Sequence, residues 1–297
     1  MKKSKYRRLL TVLPAAFLLL GCEAGEAEEE PDDFGEAMEH TIVGIEAGSG
    51  TTEMAEDMLN DYDNLEDWEL QTSSTAGMVT ALEEAIENEE PIVVTGWTPH
   101  WIFEEFDLKI LDDPKHSLGE EEFIHTIVRE GLEEDMPGAY TVMENFSWEV
   151  EDMQEVMFAA QDIPFEEAAS DWVNDNRDLV DEWTEGVETV DGKEFELVST
   201  PWDSERASSH VMQYVLEEMG YTVDITNVDP VVMFQAIAHD EGDASLAPWL
   251  PMTFGAYYDE YKDQIVDLGP NMSGAMNGLV VPTYMDVNSV EDLPAKD

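Results

Sequence analysis

Trp97, Trp202 and Trp249 are the side chains best placed to do chemistry in this chain. Each lies within two positions of a proline, in TGWTPHW (95–101), PWDSE (201–205) and APWLP (247–251). An indole face is electron-rich. Three faces brought together would wall a box for a cation that donates no hydrogen bond, which means a quaternary ammonium. A second feature complements the first. The segment GSGTTE (48–53) places Gly48 and Gly50 at a strand-to-helix turn. Free amides at a helix start attract an anion. A trimethylammonium head with a carboxylate tail satisfies both ends, and that is a betaine.

Other chemistry finds less support. With 70 Asp and Glu, any chosen carboxylate pair is uninformative. No HExxH, EF-hand loop, P-loop, GxSxG or GxGxxG occurs, and the six histidines show no metal-ligand spacing. Ser49 and Ser204 have no nucleophile elbow around them. Neither a metal nor a cofactor is expected, and the chain is not read as an enzyme. The rival from that class is a secreted hydrolase with an aromatic-lined cleft. Sugar clefts need carboxylates flanking the stacked ring, and the turns PWL and GWTP carry none. A sensor built on the same fold is a second alternative.

The elements that must position these residues come from an internal repeat. A shift of 152 positions lays Trp97-x-Pro99 on Trp249-x-Pro251. It also lays Ile45 on Leu197, Gly50 on Trp202, Glu53 on Glu205, Ala55 on Ala207, and Val79, Leu82 and Ala85 on Val231, Phe234 and Ile237. The last trio has helical spacing. Before Trp97, the β-branched run Ile92-Val93-Val94 between Pro91 and Gly96 reads as a buried strand. Each half reads strand, turn, helix, strand, helix, strand, then a Trp-bearing turn. That βαβαβ pattern predicts a parallel sheet with right-handed crossovers, and ligands in such sheets bind at strand ends.

The chain begins MKKSKYRRLLTVLPAAFLLLGC, with five basic residues before a short apolar stretch that ends at Cys22, the single cysteine. This reads as a lipoprotein signal peptide over 1–21, with Cys22 the lipidated residue and the membrane reached through that anchor. Residues 22–40 are acidic and read as a disordered tether. The formal net charge is −57. That excludes nucleic acid as a partner. It suits a protein working in high salt, where about 1 M ions shrink the Debye length to about 3 Å.

At this point the sequence resembles the glycine betaine substrate-binding lipoproteins of ABC transporters. The resemblance rests on VGIEAGSG, TGWTPHW, IHTIVREGLEEDMPGAY, PWDSE, APWLP, YDEYKDQIVDLG and NGLVVP, which span most of residues 41–292. It implies an α/β, two-lobe periplasmic-binding-protein fold of type II with the ligand in the interlobe cleft. Lobe one would be 41–122 completed by 276–297, and lobe two 123–275 with a helical connector. Crossings between the lobes are expected near HTIVREG and NGLVVP. The resemblance further implies a cage of Trp97, Trp202 and Trp249, a carboxylate held by the amides of Gly50 and Thr51, and partners in an ABC permease and its ATPase subunit. It also implies a location on the outer face of the cell membrane. One departure stands out. The family pattern WLPxTH reads WLPMTF here, so Phe254 occupies the place of a histidine that would hold the carboxylate. Proline betaine, carnitine, choline and a sulfonium analogue therefore stay beside glycine betaine as ligands. Trp68, Trp148, Trp172 and Trp183 read as packing residues. Trp101 aligns with Thr253 and leans the same way.

Overall fold

The computed structural model describes residues 34–296. The expected signal peptide, Cys22 and most of the acidic tether lie outside the described residues. The tether is expected to run to residue 40, but residues 34–40 are structured. Phe34–Ala37 form helix α1, and Phe34 and Met38 pack on the first core cluster. His40 is buried edge-on against Trp68, with centroids 5.5 Å apart. Apolar side chains at 34 and 38 give this stretch a surface to bury, which the acidic residues upstream lack.

The first half then runs β1 (Thr41–Val43), α2 (Gly50–Asp61), β2 (Glu69–Gln71), α3 (Thr75–Asn88), β3 (Val93–Thr98), α4 (Ile102–Glu105) and β4 (Leu108–Ile110). Strand β5 (Glu122–Arg129) leads to five helices: α5 (Leu132–Asp135), α6 (Pro137–Asn145), α7 (Val150–Ala159), α8 (Phe165–Asp175) and α9 (Arg177–Trp183). The second half repeats the first with β6 (Lys193–Ser199), α10 (Asp203–Glu218), β7 (Tyr221–Asn227), α11 (Pro230–Ala238), β8 (Ala244–Ser245), β9 (Trp249–Leu250) and α12 (Gly255–Tyr261). An 18-residue strand, β10 (Ile265–Pro282), follows.

The pairing bears out the α/β reading. β1 lies between β2 and β3, parallel to both, and β6 lies between β7 and β8, parallel to both. The order across the sheet is β2-β1-β3-β10-β5-β8-β6-β7. β10 stands at the centre, antiparallel to β5 through Ala275 and to β3 from Met276. Strand β5 pairs with β8 at Ile127 and Val128 and with β9 at Phe123 and Ile124, which ties the HTIVREG segment to the second half.

Two cores follow from this layout. Ile42, Met58, Leu65, Trp68 and Val93 form one with Val287, Val290 and Leu293 from the C-terminal tail. The larger one runs from α3 through the helical connector to the second half. Trp148, Trp172 and Trp183 sit in it, with centroids 5.4 Å and 6.1 Å apart along the row. Trp68 is also buried and donates its indole N–H to the Pro294 carbonyl at 2.9 Å. All four serve packing.

Candidate functional site

The candidate site lies at the C-terminal ends of β1, β3 and β6, where an open α/β sheet offers a crevice. Past β1 the chain turns through Glu46-Ala47-Gly48-Ser49 into α2. The Glu46 carboxylate accepts hydrogen bonds from the Thr75 amide and hydroxyl, both at 2.9 Å, which ties this turn to the start of α3. Ser49 caps α2, accepting from the Thr52 amide at 3.2 Å. That leaves the first amides, at Gly50 and Thr51, without an intrahelical acceptor.

β3 delivers Trp97 opposite Asn277 of β10. Behind Trp97 stands His100, edge-on at 4.7 Å. Burial pushes the His100 imidazole down to about 3, so it is neutral at physiological pH, and its Nδ1 accepts from the Ile102 amide at 3.2 Å. β6 ends at Ser199, and three residues on Trp202 occupies the N-cap position of α10. Trp249 is in β9, paired with Ile124 of β5.

These residues meet in one pocket. Trp97, Trp202, Trp249, Gly50, Thr51 and Phe254 all line it, together with Ile45, Ser49, Ser204, Glu205, Thr253 and Asn277. The pocket encloses about 350 Å³ of space not filled by protein atoms, part of it open to solvent. Trp97 and Trp249 are buried and Trp202 is half-buried. Phe254 is buried and stacks on Trp202 at 6.4 Å and 30°. Trp101 does not line this pocket. It lies in the adjoining groove, which Trp97 and Trp202 also border.

Sequence reasoning missed the polar residues that hold this arrangement. Glu205 is 4% exposed. Its carboxylate accepts the Trp249 indole N–H and the Ser204 hydroxyl, each at 2.7 Å. Burial raises its pKa to about 7, opposed by Ser204, by its own amide and by the Trp249 indole. Glu122, at the start of β5, is 1% exposed. It accepts from the Met252 and Thr253 amides, both at 2.8 Å, from the Thr253 hydroxyl, and from Asn277 Nδ2 at 3.1 Å. Asn277 accepts from the Thr51 hydroxyl at 2.6 Å and donates to Thr253 Oγ1 at 2.9 Å. Thr51 in the first half and Thr253 in the second are thus joined through one amide side chain on the central strand. Repeat spacing pointed at position 205, but nothing marked 122 or 277.

Gly50 explains why this turn is glycine. A Cβ there would lie 2.7 Å from the Thr253 carbonyl oxygen and 2.8 Å from Thr253 Cγ2. The start of α2 therefore touches the backbone of the β9–α12 turn directly. Among the described residues lining the pocket there is no Lys, Arg or His. The site combines three indoles, one acidic side chain and the starts of two helices, α2 and α10.

Known proteins resemble this chain along most of its length. A family model described as the substrate-binding domain of ABC-type glycine betaine transport system matches residues 25–175 and 193–297. The glycine betaine/carnitine transport binding protein GbuC of Listeria monocytogenes is 47% identical over 295 residues, which is 97% of this chain and 98% of GbuC. Among solved structures, lactococcal OpuAC in its closed-liganded conformation with glycine betaine is 48% identical over 49% of this chain and 58% of that one, with a TM-score of 0.48. An ABC-transporter choline-binding protein in complex with choline is 25% identical over 52% of this chain and 55% of that one, with a TM-score of 0.45. This chain thus spans less than two thirds of those two solved chains but nearly all of GbuC. The first two matches decide the assignment: the chain is a binding protein and not an enzyme, and it belongs to the family of substrate-binding domains of ABC-type glycine betaine transport systems.

Proposed function

We propose that the protein captures glycine betaine, or a related quaternary-ammonium osmolyte, in a cage of Trp97, Trp202 and Trp249 and hands it to an ABC permease for osmoprotection. The observation that carries this reading is the pocket itself. Residues 97, 202 and 249, distant in sequence, line one cavity with the start of α2. The indole faces stabilise the trimethylammonium head, each by up to about 2 kcal/mol once water is excluded. The amides of Gly50 and Thr51 receive the carboxylate, aided by the positive end of a 12-residue helix. The two halves hinge shut on the ligand, and the closed form docks on the permease, whose ATPase subunit drives import. No bond is made or broken.

Cys22 holds the protein by a lipid anchor on the extracytoplasmic face of the membrane, and the acidic surface fits a saline medium. Phe254 removes a donor from the carboxylate end, so the tail is recognised through backbone amides rather than a histidine. Calorimetric titration with glycine betaine, proline betaine, carnitine, choline and a sugar tests the reading. Binding of quaternary ammonium compounds, with none of the sugar, is expected. A protein that binds the sugar and no betaine would sink it.

A further inference from the structure

The duplication presents the pocket with two helix starts, and each carries about half a positive charge. α2 contributes Gly50 and Thr51, and α10 begins at Asp203 just after Trp202. Left bare, both would repel a cation, and the scaffold would offer two anion sites. The two starts are not electrically equal. In α2 the first acidic residue, Glu53, is exposed to solvent. Its repeat partner Glu205 is buried, lines the pocket, and is hydrogen-bonded to Trp249 and Ser204. The same position of the repeat has been turned outward in one half and inward in the other.

We infer that Glu205 is the residue that gives the pocket its polarity, making the α10 side accept a cation while the α2 side accepts an anion. The inference rests on the quaternary-ammonium reading of this site. An ionised Glu205 offsets the positive start of α10. Its charge also polarises the Trp249 N–H and enriches the ring face that meets the ammonium. The ligand is thereby oriented, head towards Trp202 and Trp249 and tail towards Gly50 and Thr51. Glu205 acts through Trp249 and through the field, as a positioning residue.

A proton linkage follows. In the ligand-free protein burial favours the neutral acid, and the group titrates near neutrality. A bound cation favours the carboxylate. Binding therefore releases a proton at and below neutral pH, and affinity climbs as pH rises through that range. The surrounding charges leave this sign intact. Asp203 on the same helix pushes the Glu205 pKa up and is itself paired with Arg206 at 3.2 Å. His100 behind Trp97 stays neutral through burial. Glu122 is engaged by the Met252–Thr253 turn and Asn277, and Glu46 by Thr75. Further along α10, His210 is pushed down by burial, with Glu166 and Arg206 acting on it in opposite directions.

The test is calorimetry on the full chain with glycine betaine and with choline, from pH about 5.5 to 8.5, in two buffers of different ionisation enthalpy. The expected result is proton release near neutral pH and affinity rising with pH. The rise should be steeper for choline, which has no carboxylate for Glu205 to repel. Glu205→Gln keeps an acceptor for Trp249 and removes the charge. It should bind both ligands about five- to thirtyfold more weakly at high pH, the range of a partly buried charge at a helix end, and should show no pH slope. If the parent binds but exchanges no proton, or if the variant keeps the parent's slope, the inference is overturned. The parent's proton count needs no variant, so it decides the matter even if Glu205→Gln fails to fold. If the parent binds neither ligand at any pH, the site reading falls and this inference falls with it.

Discussion

Replacing Gly50 by alanine separates two readings of the contact between α2 and the Thr253 turn. The backbone of Gly50 lies outside the left-handed region, so alanine suits the local conformation, and in a helix it is favoured over glycine by up to about 1 kcal/mol. The cost is steric. The new Cβ would meet the Thr253 carbonyl oxygen at 2.7 Å, well inside an ordinary contact of about 3.5–4.0 Å. Thr253 cannot yield locally, because Glu122 holds its amide, its hydroxyl and the Met252 amide. The start of α2 and the β9–α12 turn must move apart. Overpacking of this kind costs about 1–3 kcal/mol. If the halves hinge, that cost falls on the closed, liganded form. Glycine betaine affinity should then drop about five- to 150-fold by calorimetry, while the ligand-free melting temperature holds or rises slightly. The opposite pattern, unchanged affinity with a ligand-free protein that melts several degrees lower, would mean the contact is permanent and no closure occurs.

Trp97→Ala, Trp202→Ala and Trp249→Ala should each weaken betaine binding by about 1–3 kcal/mol, whereas Trp148→Ala should destabilise the fold by about 3–5 kcal/mol and leave affinity near that of the parent. Three cage variants that bind like the parent would remove the cage. Phe254→His restores a donor at the tail and should tighten glycine betaine about ten- to a hundredfold, since hydrogen bonds to charged groups contribute about 1.5–3 kcal/mol. Choline should gain nothing, and a gain for choline alone would mean Phe254 shapes the pocket for another tail. The melting temperature should rise in about 1–2 M salt, because a formal charge of −57 repels itself and screening relieves it; a fall on adding salt would contradict the saline habitat. Cys22→Ser should release the protein from membranes, and retention after that change would reveal a different anchor.

Much of this fold is legible in the sequence because the repeat is ungapped. The shift of 152 that aligns Trp97 with Trp249 also aligns α2 with α10 and α3 with α11. The tryptophans stand out through their prolines. Glu205 and Glu122 do not, for a physical reason. Among the described acidic residues only Glu122 and Glu205 are buried, and composition cannot tell which two those are. Asn277 carries no pattern of its own, and its role appears only when β10 sets it opposite Trp97. β10 itself was hidden. Gly269, Pro270, Gly274 and Gly278 interrupt it, and its pairing with β5 shifts register three times. Read locally, such a stretch looks like loops around a short strand. Helix α1 at Phe34–Ala37 is not legible because only two apolar side chains, Phe34 and Met38, mark it within an acidic run.

The central place of β10 bears on how the protein is made. Ile265–Pro282 is synthesised after every other described strand, and it lies between β3 and β5. The tail beyond it supplies Val287, Val290 and Leu293 to the core of the first half. Neither half can complete its sheet until β10 has been made. Folding of both halves is thereby tied to one late strand, and both close over that same strand.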